Sequence, residues 1–568
     1  MLDTQQIIDG YIKQSSWRIR ENANASYSYS GMVGHVANFA TSDYALSRVY
    51  TPEIAEAHKD TFIHIHDLSG GMACYCLGMD LEQLLNRGLD DIDGPPKHLT
   101  SALSQMMNLI FLVSQEIAGA CAFNSVDTLL SPYVYKDKLT YNQIKQAVQE
   151  FIYSINVKGR IGYQSPFSNV QFDITLPKRK DNTYAVVGGE ALDVKYEDLT
   201  WEREAIVRAF LETIIESKRV LTFPVMNIGI TKDFHWDNKL SDVIFECIGK
   251  TGQPTINNYV NGDYDPDAVR SLCCSLRLDV KQVIKQIGGQ FGAADNSGSI
   301  GVVTLNLPLY GYLSGGDKDI LYEYVQKYMN IAWGSLKMKR RFIEDKMQLG
   351  FYPTLHRFVE DFRHFFNTIG VVGMNEMLLN MGKPNIAYPE SKQFCMELLE
   401  FMNGIIGELQ EEDKDFYGTR QGLIGNVELV PAEGISHRLA KHLKQKYPDA
   451  ITANGTDGEY ITRGCWLPAD EEYSLMFAAK HQEDLQNLFS GGANFQYHLG
   501  EPIYDIKPVK SILRKLITKT KLPFISLSPA IEVCPVCGRV STLDGWCEHE
   551  LTEEQIDSLT KQGVELRG

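Results

Sequence analysis

Residues 271–310 read SLCCSLRLDVKQVIKQIGGQFGAADNSGSIGVVTLNLPLY. Two adjacent cysteines, Cys273 and Cys274, precede a glycine-rich bend, and a β-branched run from Ile300 to Leu305 follows it. Glycine lets backbone segments approach closely, so a thiol beside such a bend is well placed to project its sulfur into an interior. The run after the bend is short and apolar, as expected of a strand buried on both faces of a parallel sheet.

Around this stretch, long helical patterns alternate with short buried strands. Apolar spacing predicts helices over 99–117, 142–155, 202–217, 319–346 and 392–409, and residues 1–60 read as largely helical. Strands are predicted over 61–65, 169–175, 220–225, 302–307, 426–429 and 524–527. This alternation implies an α/β architecture with helices outside a largely parallel sheet. There is no internal repeat and no low-complexity linker. After Pro529 the rhythm gives way to IEVCPVCGRVSTLDGWCEHELTEEQ, which places a domain boundary near residue 528 and divides the chain into 1–527 and 528–568.

The composition sets limits on function. At 568 residues, 44% hydrophobic and 22% charged, the chain is an ordinary globular protein with ample length for a core. Its net charge of −17 argues against a duplex nucleic-acid binder, which needs a basic face, but leaves room for a local basic pocket. No apolar run approaches the roughly 18 residues that span a bilayer. The start, MLDTQQIIDGYIKQ, has neither the basic nor the apolar region of a secretory signal. Eleven cysteines then read as thiols, metal ligands or redox groups rather than disulfides, in a cytoplasmic protein with no membrane partner.

Four local motifs carry chemistry. In Cys534-Pro-Val-Cys537-Gly two thiolates sit on a tight turn whose glycine lets the backbone fold toward a metal. Cys547 is the natural third ligand of a tetrahedral zinc and His549 the nearby candidate for the fourth; such a closed site is structural, not catalytic. His64 and His66 are two residues apart on a predicted strand and share a face, an arrangement more often hydrogen-bonded beside a cavity than metal-bound. Cys74 and Cys76 share a face by the same argument; they read as a metal pair, as one thiol in a pocket, or as inert buried cysteines. In Pro431-Ala432-Glu433-Gly434 a strand gives way to a helix, with proline near the first helical position. Backbone N–H groups at such a start attract phosphate, a weak signal taken alone. No phosphate-loop, dinucleotide or nucleophile-elbow motif occurs.

Taken together these segments resemble the anaerobic (class III) ribonucleoside-triphosphate reductases, a family of glycyl-radical enzymes. The matching pieces run in order from ENANAS near residue 21 through IHIHDL, YCLGMDLEQLL, VDTLLSPYV, GYQSPFSNV, TFPVMNIGITKDFHWDN, CCSLRLD, GSIGVVTLNLP, PAEG and SGGANFQYHL to the CPVCG knuckle. The resemblance implies a ten-stranded α/β barrel with a central finger loop, followed by a small zinc-knuckle module. It implies that Cys274, at the loop tip, carries a thiyl radical that takes the ribose 3′-hydrogen, with Cys273 turned away. Cys76 then delivers a hydrogen to the 2′ position as water leaves, and a barrel keeps that radical from solvent. His64 and the Pro431–Gly434 turn would receive the substrate triphosphate. Lys97, ahead of a helix that resembles the family's dimer interface, would contact deoxynucleotide or ATP effectors. The partners implied are ribonucleoside triphosphates, those effectors, a second copy of the chain, and an iron–sulfur, S-adenosylmethionine-dependent activase.

Three departures qualify the expectation. The family stores its radical on a glycine within an Arg-x-x-Gly-Tyr segment after the knuckle, and no such segment follows here; Arg567-Gly568 lacks the tyrosine. The radical glycine is therefore expected outside this chain, and a non-catalytic nucleotide-binding relative or a fragment of a split protein is the rival reading. Another glycyl-radical enzyme, of the acyl-formate lyase type, would use the adjacent cysteines but leaves Cys76 and the knuckle unexplained. Ser299 stands where the formate-using subgroup carries asparagine, so formate and a thiol both stay open as reductant. The first 16 residues leave no room for the family's regulatory ATP-binding cone.

Overall fold

The structure, a computed structural model, describes residues 3–13, 27–89, 93–217, 220–261, 269–271, 277–279, 296–419, 421–455, 458–499, 503–529, 531–533 and 540–542. Its centre is a large, mostly parallel sheet of eleven strands. In chain order these are β1 (Ile63–Ile65), β2 (Leu77–Met79), β3 (Cys121–Phe123), β4 (Ser168–Phe172), β5 (Val225–Ile230) and β6 (Thr255–Asn258). They continue as β7 (Ser297–Asn306), β8 (Phe365–Val372), β9 (Ile424–Glu428), β10 (Phe495–His498) and β11 (Phe524–Ser528). Ten strands follow one path, β9-β8-β7-β2-β3-β4-β5-β6-β11-β10, and β1 pairs antiparallel with β7.

The path has three parallel runs. Strands β2 to β6 are parallel, as are β7 to β9 and β10 with β11. The runs meet antiparallel at β2–β7 and at β6–β11. The outer edge of β9 is also occupied. Gly491 N–H donates to Val427 O at 2.7 Å and Leu429 N–H to Gly492 O at 3.0 Å, just ahead of β10. Glu428 and Gly492 form a parallel bridge.

Side chains alternate between two environments along these strands. Leu77, Met79, Val170, Phe172, Met226, Ile228, Val303, Leu305, Ile369 and Val371 belong to the main hydrophobic core. In chain order the helices include α1 (Thr4–Ile12), α2 (Tyr29–Tyr44), α3 (Pro52–Lys59), α4 (Leu99–Val113), α5 (Lys318–Gln348) and α6 (Glu433–Lys446). α3, α4 and α5 cover that face, whereas the first turns of α6 pack with Val302 and Val372 of the other. α5 shows why such a segment is helical. Asp317 caps it, accepting from Asp319 N–H and Ile320 N–H, and Leu321, Val325, Met329, Ala332, Leu336 and Ile343 recur at three and four residues along its buried stripe.

Two predicted boundaries move. The strand expected at 220–225 lies at Val225–Ile230; Pro224 has no N–H to give a ladder, so pairing starts after it. The strand expected at 169–175 ends at Phe172, because Ile174 takes a left-handed φ of 60°. Small hairpins flank two segments of interest. Val269–Ser271 pairs antiparallel with Arg277–Asp279 around 272–276, and Ile531–Val533 with Val540–Thr542 around 534–539.

One buried cation ties α5 to the sheet. Arg340 is fully buried and donates to Phe365 O at 2.7 Å, to Asn367 Oδ1 at 2.8 Å, to Tyr417 Oη at 3.2 Å and to Phe362 O. Arg340→Met would leave these acceptors buried and unsatisfied, with a loss of about 3 kcal/mol. Thermal unfolding should show a clearly lowered midpoint; an unchanged midpoint would contradict this role.

Candidate functional site

Cys76 stands just before β2 and is 1% exposed. Its backbone is held on both sides: Tyr75 N–H donates to Ser299 O and Ser299 N–H to Cys76 O, each at 2.9 Å, while Gly119 N–H donates to Tyr75 O at 2.7 Å. Ala120 N–H points at the Cys76 sulfur at 3.3 Å. Residue 119 has to be glycine, since a Cβ there would lie 2.6 Å from that sulfur. Cys74 and Cys76 do not share a face as expected. Cys74 lies in the outer core with Leu77 and Met79, where burial pushes its thiol up to about 12, so it stays protonated. Cys76 lies on the inner side.

The 431–434 turn, expected from the sequence to attract phosphate, opens α6. α6 starts at Glu433 with Ala432 as N-cap, and no side chain caps it. Pro431 therefore falls one residue before the cap rather than at the first helical position. Ala432 and Ile435 pack with Val302, Val372 and Val430, and Tyr75, the residue before Cys76, packs against the same cluster. Of Glu433 only the backbone is described.

One turn further along α6, Arg438 reaches across to β1. Its Nη1 donates to His64 Nδ1 at 2.7 Å and its Nη2 to the His58 carbonyl at 2.8 Å. With Nδ1 an acceptor, His64 carries its hydrogen on Nε2. Burial, then the Arg438 charge, then His66 and His58 hold His64 well below the usual histidine range, so the ring is neutral. His66 Nε2 lies 2.7 Å from Thr304 Oγ1, and burial lowers this ring to about 4. The two rings meet edge to face at 5.0 Å.

His58, His64, Arg438, Arg160, Asp67 and Glu116 line a cavity of about 510 Å3 that extends under α2. Arg160 donates to the carbonyls of Ile117 at 2.9 Å and Ala118 at 2.7 Å. Burial raises the Asp67 carboxyl, and the nearby Arg160 and Lys339 charges partly offset this. Lys339 of α5 is 2% exposed, and burial lowers its ammonium to about 8.

The structure therefore joins His64 to α6 through Arg438 and packs the residue before Cys76 against the cluster that includes Ala432. Arg438, His58, Arg160 and Lys339 were not among the sequence candidates. Arg438 alone had a legible signal: it stands four residues after Gly434, on the same helical face as the expected phosphate turn. Lys97 is exposed, next to the start of α4 and to the turn at Gly188. Cys274, Cys534, Cys537, Cys547 and His549 lie outside the described residues. Among the described residues no cluster of three or more metal-ligating side chains occurs, and no helix is long and apolar enough to cross a membrane.

A protein-family model described as anaerobic ribonucleoside-triphosphate reductase matches residues 21–560. The anaerobic ribonucleoside-triphosphate reductase of Haemophilus influenzae is 23% identical over 592 residues, covering 94% of this chain and 77% of its own. Two crystal structures of the anaerobic ribonucleotide reductase from Thermotoga maritima share the fold, each at a TM-score of 0.72 and 19% identity. One, with dATP in the specificity site, aligns 94% of this chain with 90% of its own. The other, in complex with dATP and CTP, aligns 98% with 95%.

The histidines give the site a pH signature. Because His66 has a lowered value in the folded protein, the unfolded chain takes up the proton first. Its contribution is present above about pH 6.5 and is lost as pH falls toward 4. Melting temperatures between pH 7 and 4 should fall less steeply for His66→Gln than for the parent. Parallel curves would contradict the assignment.

Proposed function

The chain belongs to the anaerobic ribonucleoside-triphosphate reductases, as the catalytic subunit that reduces ribonucleoside triphosphates to deoxyribonucleoside triphosphates, and on that premise we propose how its residues divide the work. Cys274 carries the thiyl that takes the ribose 3′-hydrogen, and Cys76 gives hydrogen to the 2′ position as water leaves. The uncapped start of α6, Pro431 to Gly434, receives the triphosphate, with Arg438 and the Nε2–H of His64 as side-chain partners. The observation that carries this reading is that Tyr75, the residue before Cys76, packs against the cluster to which Ala432 and Ile435 belong. This supports a site in which a nucleotide gripped by its phosphates at α6 has its sugar on the side of the reducing thiol.

The ten-strand path and the bridge of Glu428 to Gly492 support a closed barrel over 1–527. The hairpin on either side of 534–539 supports a separate knuckle module in 528–568, with structural zinc on Cys534, Cys537, Cys547 and His549. An S-adenosylmethionine-dependent activase would install a radical on a glycine, and the chain would act as a homodimer. Lys97 would contact effectors, by analogy with the dATP in the Thermotoga maritima specificity site.

Cys76→Ser should abolish turnover, by about 10⁴-fold or more, while nucleotide binding stays at the parent level. Arg438→Gln should weaken ribonucleoside triphosphate binding by about tenfold and leave the diphosphate much less affected. Turnover by the serine variant, or equal losses for triphosphate and diphosphate, would contradict these roles.

A further inference from the structure

Three asparagines on the inner face of the sheet lack partners. Asn169 of β4, Asn227 of β5 and Asn426 of β9 are each at most 1% exposed. In all three, both amide atoms are buried without a hydrogen bond. Val170 and Phe172, Met226 and Ile228, and Val427 alternate with them and belong to the outer core. The amides therefore face the side on which Cys76 lies.

Small residues separate them from that thiol. Gly78, two residues beyond Cys76, is in register with Ala122, and Ala122 with Asn169; Asn227 is on the next strand. On the other side Ser299 N–H donates to Cys76 O. Ser299 Oγ lies 3.0 Å from Thr368 Oγ1, and Thr368 is in register with Asn426. Gly491 also makes room for the third amide: a Cβ there would lie 2.8 Å from the Asn426 side chain.

We propose that Asn169, Asn227 and Asn426 bind the ribose hydroxyls of the substrate. This rests on the reading of the site given above. A carboxamide offers a donor and an acceptor and no charge, which matches a hydroxyl that must both donate and accept. It does not match phosphate, which Arg438 and the start of α6 serve. Three unpaired amides on the face that carries this thiol are costly in the free protein and become satisfied when a polyhydroxylated ligand arrives. The hydroxyls are the groups that the reaction at Cys76 acts on, so their fixing aligns the 2′ and 3′ positions with the sulfur.

The test is equilibrium binding to the full, unactivated chain, with dATP present throughout. A ribonucleoside triphosphate is compared with its 2′,3′-dideoxy counterpart. The parent should prefer the ribonucleotide by about tenfold or more, as a site built for hydroxyls does. Asn169→Leu and Asn227→Leu should each narrow that gap by weakening the ribonucleotide alone, with no fall in melting temperature, since an unpaired amide is being replaced.

The parent comparison needs no variant to fold. A lowered melting temperature with the gap intact would mean that the amides serve the chain's own backbone, and overturns the proposal. So would equal weakening of both nucleotides, or losses that follow the base rather than the sugar. Triphosphate-dependent binding with no gap in the parent would overturn this inference and leave the functional reading standing. No triphosphate-dependent binding at all would overturn both.

Discussion

Everything in this protein depends on the alternation of side chains along the parallel strands of the central sheet. Valine, isoleucine, leucine, methionine and phenylalanine on one face meet the helices. The other face carries Cys76, Ser299, Thr368, Asn169, Asn227 and Asn426, with Gly78 and Ala122 between them. A one-residue slip would put amides into the helix layer and leucines into the interior. The register is therefore fixed by the same apolar burial that builds the core. An unpaired buried amide costs about 1–3 kcal/mol, so several of them on one face mark where stability has yielded to function.

A second constraint places charge where it is needed. Arg438 spans from α6 to β1, and through His64 Nδ1 it fixes the tautomer of a ring that burial and three neighbouring groups keep neutral. The guanidinium thus brings positive charge to the cavity while the histidine contributes a neutral donor. Lys339 and Arg160 stand behind the segment that carries Cys74 and Cys76, the former in contact distance of the space beside Gly301. Burial lowers the Lys339 ammonium, and the nearby Asp67 carboxyl partly offsets this.

Much of the fold was legible because it rests on periodicity. The long helices came out within a few residues: 319–346 is observed as Lys318–Gln348 and 392–409 as Pro389–Glu412. The strand signals failed where local chemistry intervened, at Pro224 and at the left-handed Ile174. The site was legible only in part. The 431–434 turn announces itself through strand-to-helix punctuation, but Cys76 was singled out from Cys74 by family resemblance. Spacing alone put both cysteines on one face, and the structure separates them because Cys74 turns into the outer core ahead of the strand. Arg160, Lys339 and the three asparagines carry no local signal, since a buried polar residue in sequence looks like an exposed one.

The central claim is that one nucleotide is held with its phosphates at α6 and its sugar at Cys76. A crystal structure of the unactivated protein with a bound ribonucleoside triphosphate tests it most directly. The account predicts phosphate oxygens on the backbone of 433–435 and on Arg438, with the ribose 2′ carbon within about 4 Å of the Cys76 sulfur. A nucleotide bound with its phosphates on α6 and its ribose turned away from Cys76, or held elsewhere altogether, would contradict it.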